Sequence, residues 1–236
     1  MPIFCTICKS PYPLISQIII HNCPTYIEII YYRFYTRNNR IMKLNIHILS
    51  HPIIQYLSSI TKEKNLQSNI KNHTLRQLGL FLLYETIRNW LTTHKLTIKT
   101  INEHKSITII DPKESYTIIT NTNTDLSLIQ EIQYLLPKCD INFIPIKILD
   151  SINISNLNKI IEIINPYQKI IIISYNINTK YILKLMLYLT DINNVKIQQI
   201  RLIAINCTTE NLISISKTYP KLNVYTTGIE KNGKTP

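Results

Sequence analysis

The chain has only 3 glycines in 236 residues, where average usage is near ~7%. Gly79, Gly228 and Gly233 also lie far apart. Loops that cradle phosphate need several glycines, because backbone N–H groups must approach the ligand closely. A P-loop and a G-x-G-x-x-G dinucleotide fingerprint are therefore excluded. Alanine and valine are nearly missing as well, with Ala204 alone and only Val195 and Val224. Their place is taken by residues of AT-rich codons. Isoleucine supplies 50 of the 236 residues, and Asn, Lys and Tyr are abundant. This is the imprint of an AT-biased genome, such as that of an organelle, rather than a functional signal.

Acids are scarce, with 14 Asp+Glu against 26 Lys+Arg and a net charge of +12. Such a balance permits binding to nucleic acid, anionic lipid or an acidic protein. Codon bias toward Lys accounts for the same charge, and no dense Lys/Arg run is present, so nucleic acid is not the favoured partner. Five cysteines are too few for a disulfide scaffold in a chain of this length. Cys139 and Cys207 sit in apolar surroundings and read as buried thiols. Cys5, Cys8, His21 and Cys23 are four soft ligands, but the H-x-C pair is poorly spaced for zinc and no turn glycine lies nearby. No metal site is expected.

Long hydrophobic runs are missing too. None reaches the ~18–20 apolar residues of a membrane-spanning helix. Residues 14–20 are followed by His21 and Asn22, and residues 26–35 are interrupted by Glu28 and Arg33. No signal-peptide layout is present. Arg33, Arg37 and Arg40 give the N-terminus some likeness to a transit peptide, against which stands its aromatic and β-branched content. The first 41 residues hold three of the five cysteines and the cluster YYRFY. The break in texture at Met42 divides the chain into an N-terminal extension, residues 1–41, and a domain, residues 42–236. The extension is expected to add no strand to the domain's sheet and to lie apart from its core.

What is present is a folded α/β pattern, at 45% hydrophobic and 17% charged residues. Residues 61–93 carry apolar side chains at three- and four-residue steps, a helical period. Residues 96–100 and 106–110 read as strands joined by a turn at 102–104. Strands are expected at 116–120, 141–148, 169–174, 199–205 and 222–226, and helices at 126–136, 155–164, 180–189 and 209–218. Asp125 is placed to cap the helix that follows it. Repeated strand, loop and helix imply right-handed β-α-β units and a parallel sheet. Ligands in such sheets bind beyond the carboxyl ends of the strands. The loops to inspect are 121–125, 175–179, 207–210 and 227–233.

The phrases HPIIQYLSSIT (51–61), LRQLGLFLLYET (75–86) and the tail RLIAINCTTENLISISKTYPKLNVYTTGIE (201–230) resemble the uracil phosphoribosyltransferase family. The resemblance runs from about residue 43 to residue 229. It implies a type I phosphoribosyltransferase-like fold, a parallel α/β sheet with flanking helices and a small hood. It also implies a reaction, the joining of uracil to phosphoribosyl pyrophosphate to give UMP and pyrophosphate with Mg²⁺.

The functional loops depart from the family's pattern. Its phosphoribosyl loop is close to D-P-M-L-A-T-G-G-S. Here the strand KIIIIS leads into YNINTKY. Ser174 stands at the acidic position, followed by Tyr175 and Asn176. Thr179 matches, and Lys180 and Tyr181 replace the two glycines. A tyrosine ring obstructs the close backbone approach a phosphate needs. Lys180 offers a point charge without the fixed N–H array. The pyrophosphate loop, L-R-A-G-L in the family, becomes TNTNTDL, with Asn123 near the Arg position, Thr124 beside it and Asp125 near the Gly. A carboxylate ~4 Å from a phosphate charge repels it by about 4 kcal/mol at an effective dielectric of 20. The chain ends at KNGKTP (231–236) before the family's uracil-reading tail, so that pocket is expected to be missing. Glu85 and Glu210 match family positions but read as solvated or helix-capping acids, and His51 as a packing or hydrogen-bonding residue.

The expectation is a homologue that keeps the fold and has lost the reaction, with vestigial site residues at 174–176, 179–181 and 123–125, no catalytic residue and no cofactor. Mg²⁺ belongs only to the active alternative, and a basic adaptor on RNA or the ribosome is the third reading. Red-algal plastid genomes carry genes of this kind. The resemblance thus suggests the plastid stroma as location, and a homo-oligomer or a plastid assembly as the setting.

Overall fold

A computed structural model describes residues 18–21, 27–35, 41–100, 103–121, 123–136, 138–146, 149 and 168–230. Its centre is a parallel sheet of six strands: β3 (Ile41–Leu49), β6 (Tyr116–Thr120), β7 (Cys139–Phe143), β8 (Lys169–Asn176), β9 (Ile200–Thr208) and β10 (Asn223–Glu230), in the order β3-β10-β9-β8-β6-β7. Four consecutive isoleucines, Ile170 to Ile173, are each at most 2% exposed. Such a run forms where a strand is covered on both faces. In β9, Leu202 and Ala204 point to one face, Ile203 and Ile205 to the other. The first face packs on α5 (Thr179–Leu187) and α6 (Thr209–Thr218), through Ile182, Leu185, Leu212 and Ile215. The second packs on α1 (Pro52–Lys62), α2 (Ser68–Ile87), α3 (Asn123–Ile129) and α4 (Ile132–Leu135). Each fully buried Ile or Leu contributes roughly 1.5–3 kcal/mol, so this two-sided layer is the main source of stability.

Local chemistry sets the element ends. His51 Nδ1 accepts a hydrogen bond from the Ile53 N–H at 3.2 Å, and Pro52 opens α1. This is an N-cap followed by a residue that lacks the N–H a helix start leaves unused. The single helix expected over 61–93 is instead α2, with α1 before it. The strand expected over 141–148 ends at Phe143, just ahead of Pro145, which has no donor for the ladder. The helix expected over 126–136 is divided into α3 and α4, and the one expected over 155–164 lies outside the described residues. The two strands near residue 100 form a separate antiparallel hairpin, β4 (Thr93–Lys99) with β5 (His104–Ile110).

The expectation for residues 1–41 is corrected. β1 (Ile18–His21) and β2 (Ile27–Tyr35) extend the same sheet, β2 pairing antiparallel with β3 from Ile27↔Leu49 to Tyr35↔Ile41. The proposed boundary therefore falls inside β3. The reason is backbone geometry. Without β2 the outer edge of β3 would leave its N–H and C=O groups open, and IEIIYYRFY is rich in the β-branched and aromatic residues that suit a strand.

Candidate functional site

The carboxyl ends of β6, β8, β9 and β10 meet the first turns of α3, α5 and α6, which is where a parallel α/β sheet binds its ligand. Here several polar side chains bond one another or the backbone. Ser174, 2% exposed, donates to the Asn176 carbonyl at 2.6 Å. Asn206 Nδ2 donates to Asn176 Oδ1 at 2.9 Å, which ties β9 to β8. Asn178 caps α5 by accepting from the Tyr181 N–H. Thr208 caps α6 by accepting from the Asn211 N–H. Asn211 links the two helix starts, accepting from Thr179 Oγ1 at 3.0 Å and donating to the Ile177 carbonyl at 3.0 Å.

Asp125 lies within the first turn of α3, inside the helix rather than at its cap as expected. It is 0% exposed. Its Oδ1 accepts the backbone N–H of Tyr175 at 2.5 Å, joining α3 to the end of β8. The Tyr175 hydroxyl donates to the Thr61 carbonyl at 3.0 Å, and Lys71 Nζ stands 5.8 Å from its ring. Tyr181 is buried at 2% exposure. Burial, and then the charge of Asp125, push its hydroxyl's pKa well up. That hydroxyl, Thr120 Oγ1 and Asn121 Oδ1 are buried without a hydrogen-bond partner among the described residues. Lys180 is exposed. Asn123 and Thr124 open α3 with helical backbone.

The structure thus brings Ser174, Tyr175, Asn176, Thr179, Tyr181 and Asp125 to one edge. It adds Asn178 and Thr227, inside loops already marked for inspection, and Thr61, Asn206, Asn211 and Ser58, which the sequence did not single out; the Ser58 and Thr227 hydroxyls lie 2.9 Å apart. Thr208-x-x-Asn211 and Asn178-x-x-Tyr181 carry a cap signal, but the cross-links depend on contacts 30 or more residues apart and leave no local trace. The other family-matched residues have ordinary structural places, with Glu85 half-buried rather than solvated. His51 is an N-cap, Glu85 pairs with Arg88 on the surface at 3.4 Å, and Glu210 is exposed in the first turn of α6. A cavity of about 200 Å³, lined by Ile110, Pro112, Glu114 and Leu136, lies at the opposite end of β6, beside Tyr116.

The family model for uracil phosphoribosyltransferase matches residues 48–234. The chain belongs to the uracil phosphoribosyltransferase family. A uracil phosphoribosyltransferase homolog of Pyropia yezoensis is 27% identical over 193 residues, covering 81% of this chain and 91% of that protein. A chloroplastic uracil phosphoribosyltransferase of Arabidopsis thaliana is 22% identical, covering 80% of this chain and 63% of that protein. Among solved structures, the AQ2163 protein from Aquifex aeolicus shares the fold. Its TM-score is 0.61 at 15% identity, over 80% of this chain and 89% of that one.

Proposed function

We propose that this uracil phosphoribosyltransferase homologue no longer makes UMP and serves a structural or binding role in a plastid. The observation that carries the reading is the buried Asp125 carboxylate bonded to the Tyr175 N–H. Asp125 falls near the Gly of the family's pyrophosphate loop, where a negative charge repels a diphosphate. Two further features support it. Ser174 lacks the charge and second oxygen with which a carboxylate holds two ribose hydroxyls, and its hydroxyl is already given to Asn176. The Tyr181 ring is buried where the family pattern has glycine.

Mg²⁺ on a diphosphate is held by the phosphates themselves and one or two carboxylates, and the buried carboxylate at this edge, Asp125, is already bonded to the Tyr175 N–H rather than open to an ion. The plastid setting rests on the AT-biased composition and on relatives from a red alga and a chloroplast. The test is direct binding of labelled phosphoribosyl pyrophosphate with Mg²⁺. The expected result is no saturable binding at millimolar ligand. Stoichiometric micromolar binding would favour the active alternative.

A further inference from the structure

The cavity at the amino end of β6 has a volume of about 200 Å³. That exceeds the ~150 Å³ that admits a benzene ring where the walls are apolar. Ile110, Pro112, Leu136 and Tyr116 make its walls mainly apolar. Asp111, Glu114 and Lys138 line it as well, and they differ in how their charges are answered. Glu114 meets Lys169 at 2.5 Å, the Tyr116 hydroxyl at 2.5 Å and the Thr92 N–H at 3.2 Å, so its carboxylate is closed off. Asp111 is less well supplied. Its Oδ1 accepts the Lys113 N–H at 2.9 Å, and its Oδ2 faces His94 Nε2 at 3.1 Å, on a ring that is charged only when protonated. Lys138 is exposed and donates to the neutral Pro112 carbonyl at 3.3 Å. Among the described residues, Lys138 has no carboxylate partner, Asp111 has no Lys or Arg partner, and the two do not pair with each other.

We infer that this cavity binds a free α-amino acid with an apolar side chain. The side chain fills the cavity, the ammonium meets Asp111 and the carboxylate meets Lys138. Ligand sites combine apolar walls with a few placed polar groups in this way, and charge-assisted bonds are the stronger ones such groups make. A purely apolar molecule, or one with a single charge, leaves one of the two side chains unanswered. Binding also has a structural consequence. Ile110 and Asp111 lie at the base of the β4–β5 hairpin, where the Asp111 N–H donates to the Thr92 carbonyl at 3.0 Å, and Leu136 and Lys138 lie between α4 and β7. Every residue of β4 is exposed, and a lone two-stranded hairpin is marginally stable in water. A molecule held between these two segments fastens the hairpin to the sheet.

The test is isothermal titration calorimetry of the full chain with L-leucine and L-phenylalanine. Saturable binding is expected at about millimolar ligand. Glycine, which brings no side chain, should not bind. Isopentylamine and 4-methylpentanoate each lack one of leucine's two charges and should bind about tenfold more weakly, the scale of a lost charge-assisted hydrogen bond. Asp111→Asn and Lys138→Met should each weaken leucine by the same factor, and neither residue is buried, so the fold is kept. Hydrogen exchange places the site, with leucine expected to slow the amides of β4 and β5. The inference would be overturned by no saturable binding of either amino acid, or by glycine or a single-charge analogue binding as tightly as leucine. Unchanged affinity in either variant, or slowing confined to the carboxyl ends of the strands, would overturn it equally. None of these outcomes bears on the proposed loss of catalysis, which concerns the other end of the sheet.

Discussion

The two ends of the parallel strands are built from opposite chemistry. At the amino ends, charge and aromatic rings meet. Lys169, the first residue of β8, lies 2.5 Å from Glu114, and Glu114 takes the Tyr116 hydroxyl at 2.5 Å. Arg201, at the start of β9, stands 4.3 Å from the Trp90 ring and 5.5 Å from that of Tyr225, on which His47 stacks at 4.4 Å. At the carboxyl ends, short neutral side chains bond to the backbone around one buried acid, Asp125. A protein that transfers a phosphoribosyl group needs its positive charge at the carboxyl ends. Here the partly buried cations of β8 and β9 sit at the amino ends, where they brace the scaffold.

If the amino end is a structural brace, breaking it should cost the most. Lys169→Met leaves the Glu114 carboxylate without its cation in a site where that side chain is 10% exposed. Orphaning a buried charge costs 3–5 kcal/mol. About 3 kcal/mol is expected, since Glu114 keeps its bonds from Tyr116 and Thr92. Denaturant unfolding at neutral pH measures it. Burial pushes the Glu114 carboxyl up, but the bonds from Lys169, Tyr116 and Thr92 outweigh it and hold the pKa below its ordinary 4.5. That contribution is full above pH 4.5 and is lost as the pH falls below it. The acid limb of the stability curve should therefore be shallower in the variant.

Gly79→Ala probes how closely the carboxyl end is held to the scaffold. A Cβ on Gly79 would come 1.9 Å from the Leu128 carbonyl oxygen, in the helix that carries Asp125. Backbone cannot yield as a flexible side chain does, and overpacking typically costs 1–3 kcal/mol. A loss of about 2 kcal/mol is expected in the same measurement. An unchanged midpoint would mean that α3 shifts freely and that the Asp125 contact is not rigidly placed.

At the carboxyl end itself, Asn211→Ala removes two side-chain bonds that join α5 to α6. At ~1 kcal/mol per net hydrogen bond, a loss of about 1–2 kcal/mol is expected, independent of pH between 5 and 8 because no partner titrates. The smallest effect belongs to His47. Burial lowers its pKa below the ordinary 6.5, against the Asn223 bond, and the charge of Arg201 adds to the lowering. The unfolded chain binds the proton first as the pH falls, so this stability is present above 6.5 and lost below it. His47→Gln should flatten the stability profile from pH 7 to pH 5 by under about 1 kcal/mol, and an unchanged profile would show that His47 titrates normally.

The scaffold was legible in the sequence because its cause is local. Ile170 to Ile173 announce a doubly covered strand, and Tyr116–Thr120 and Thr209–Thr218 lie where the pattern placed them. The site was half legible. The odd residues Ser174, Tyr181 and Asp125 stand out against the family pattern. Their partners do not, because Asp125 and Tyr175 are 50 residues apart and their bond depends on where β6 stops. The N-terminal strands were misread because a break in composition carries no information about backbone pairing. β2 joins β3 through main-chain groups that any sequence possesses.

The central claim is that the carboxyl end has lost its chemistry while the amino end keeps the fold. The most direct test is conversion of labelled uracil by the purified full chain with phosphoribosyl pyrophosphate and Mg²⁺. The expected result is no UMP above a protein-free control, from a sample whose cooperative unfolding shows it to be native. UMP formed by the wild type and lost in Ser174→Ala would contradict the claim, because the hydroxyl now bonded to Asn176 would then be serving a working site.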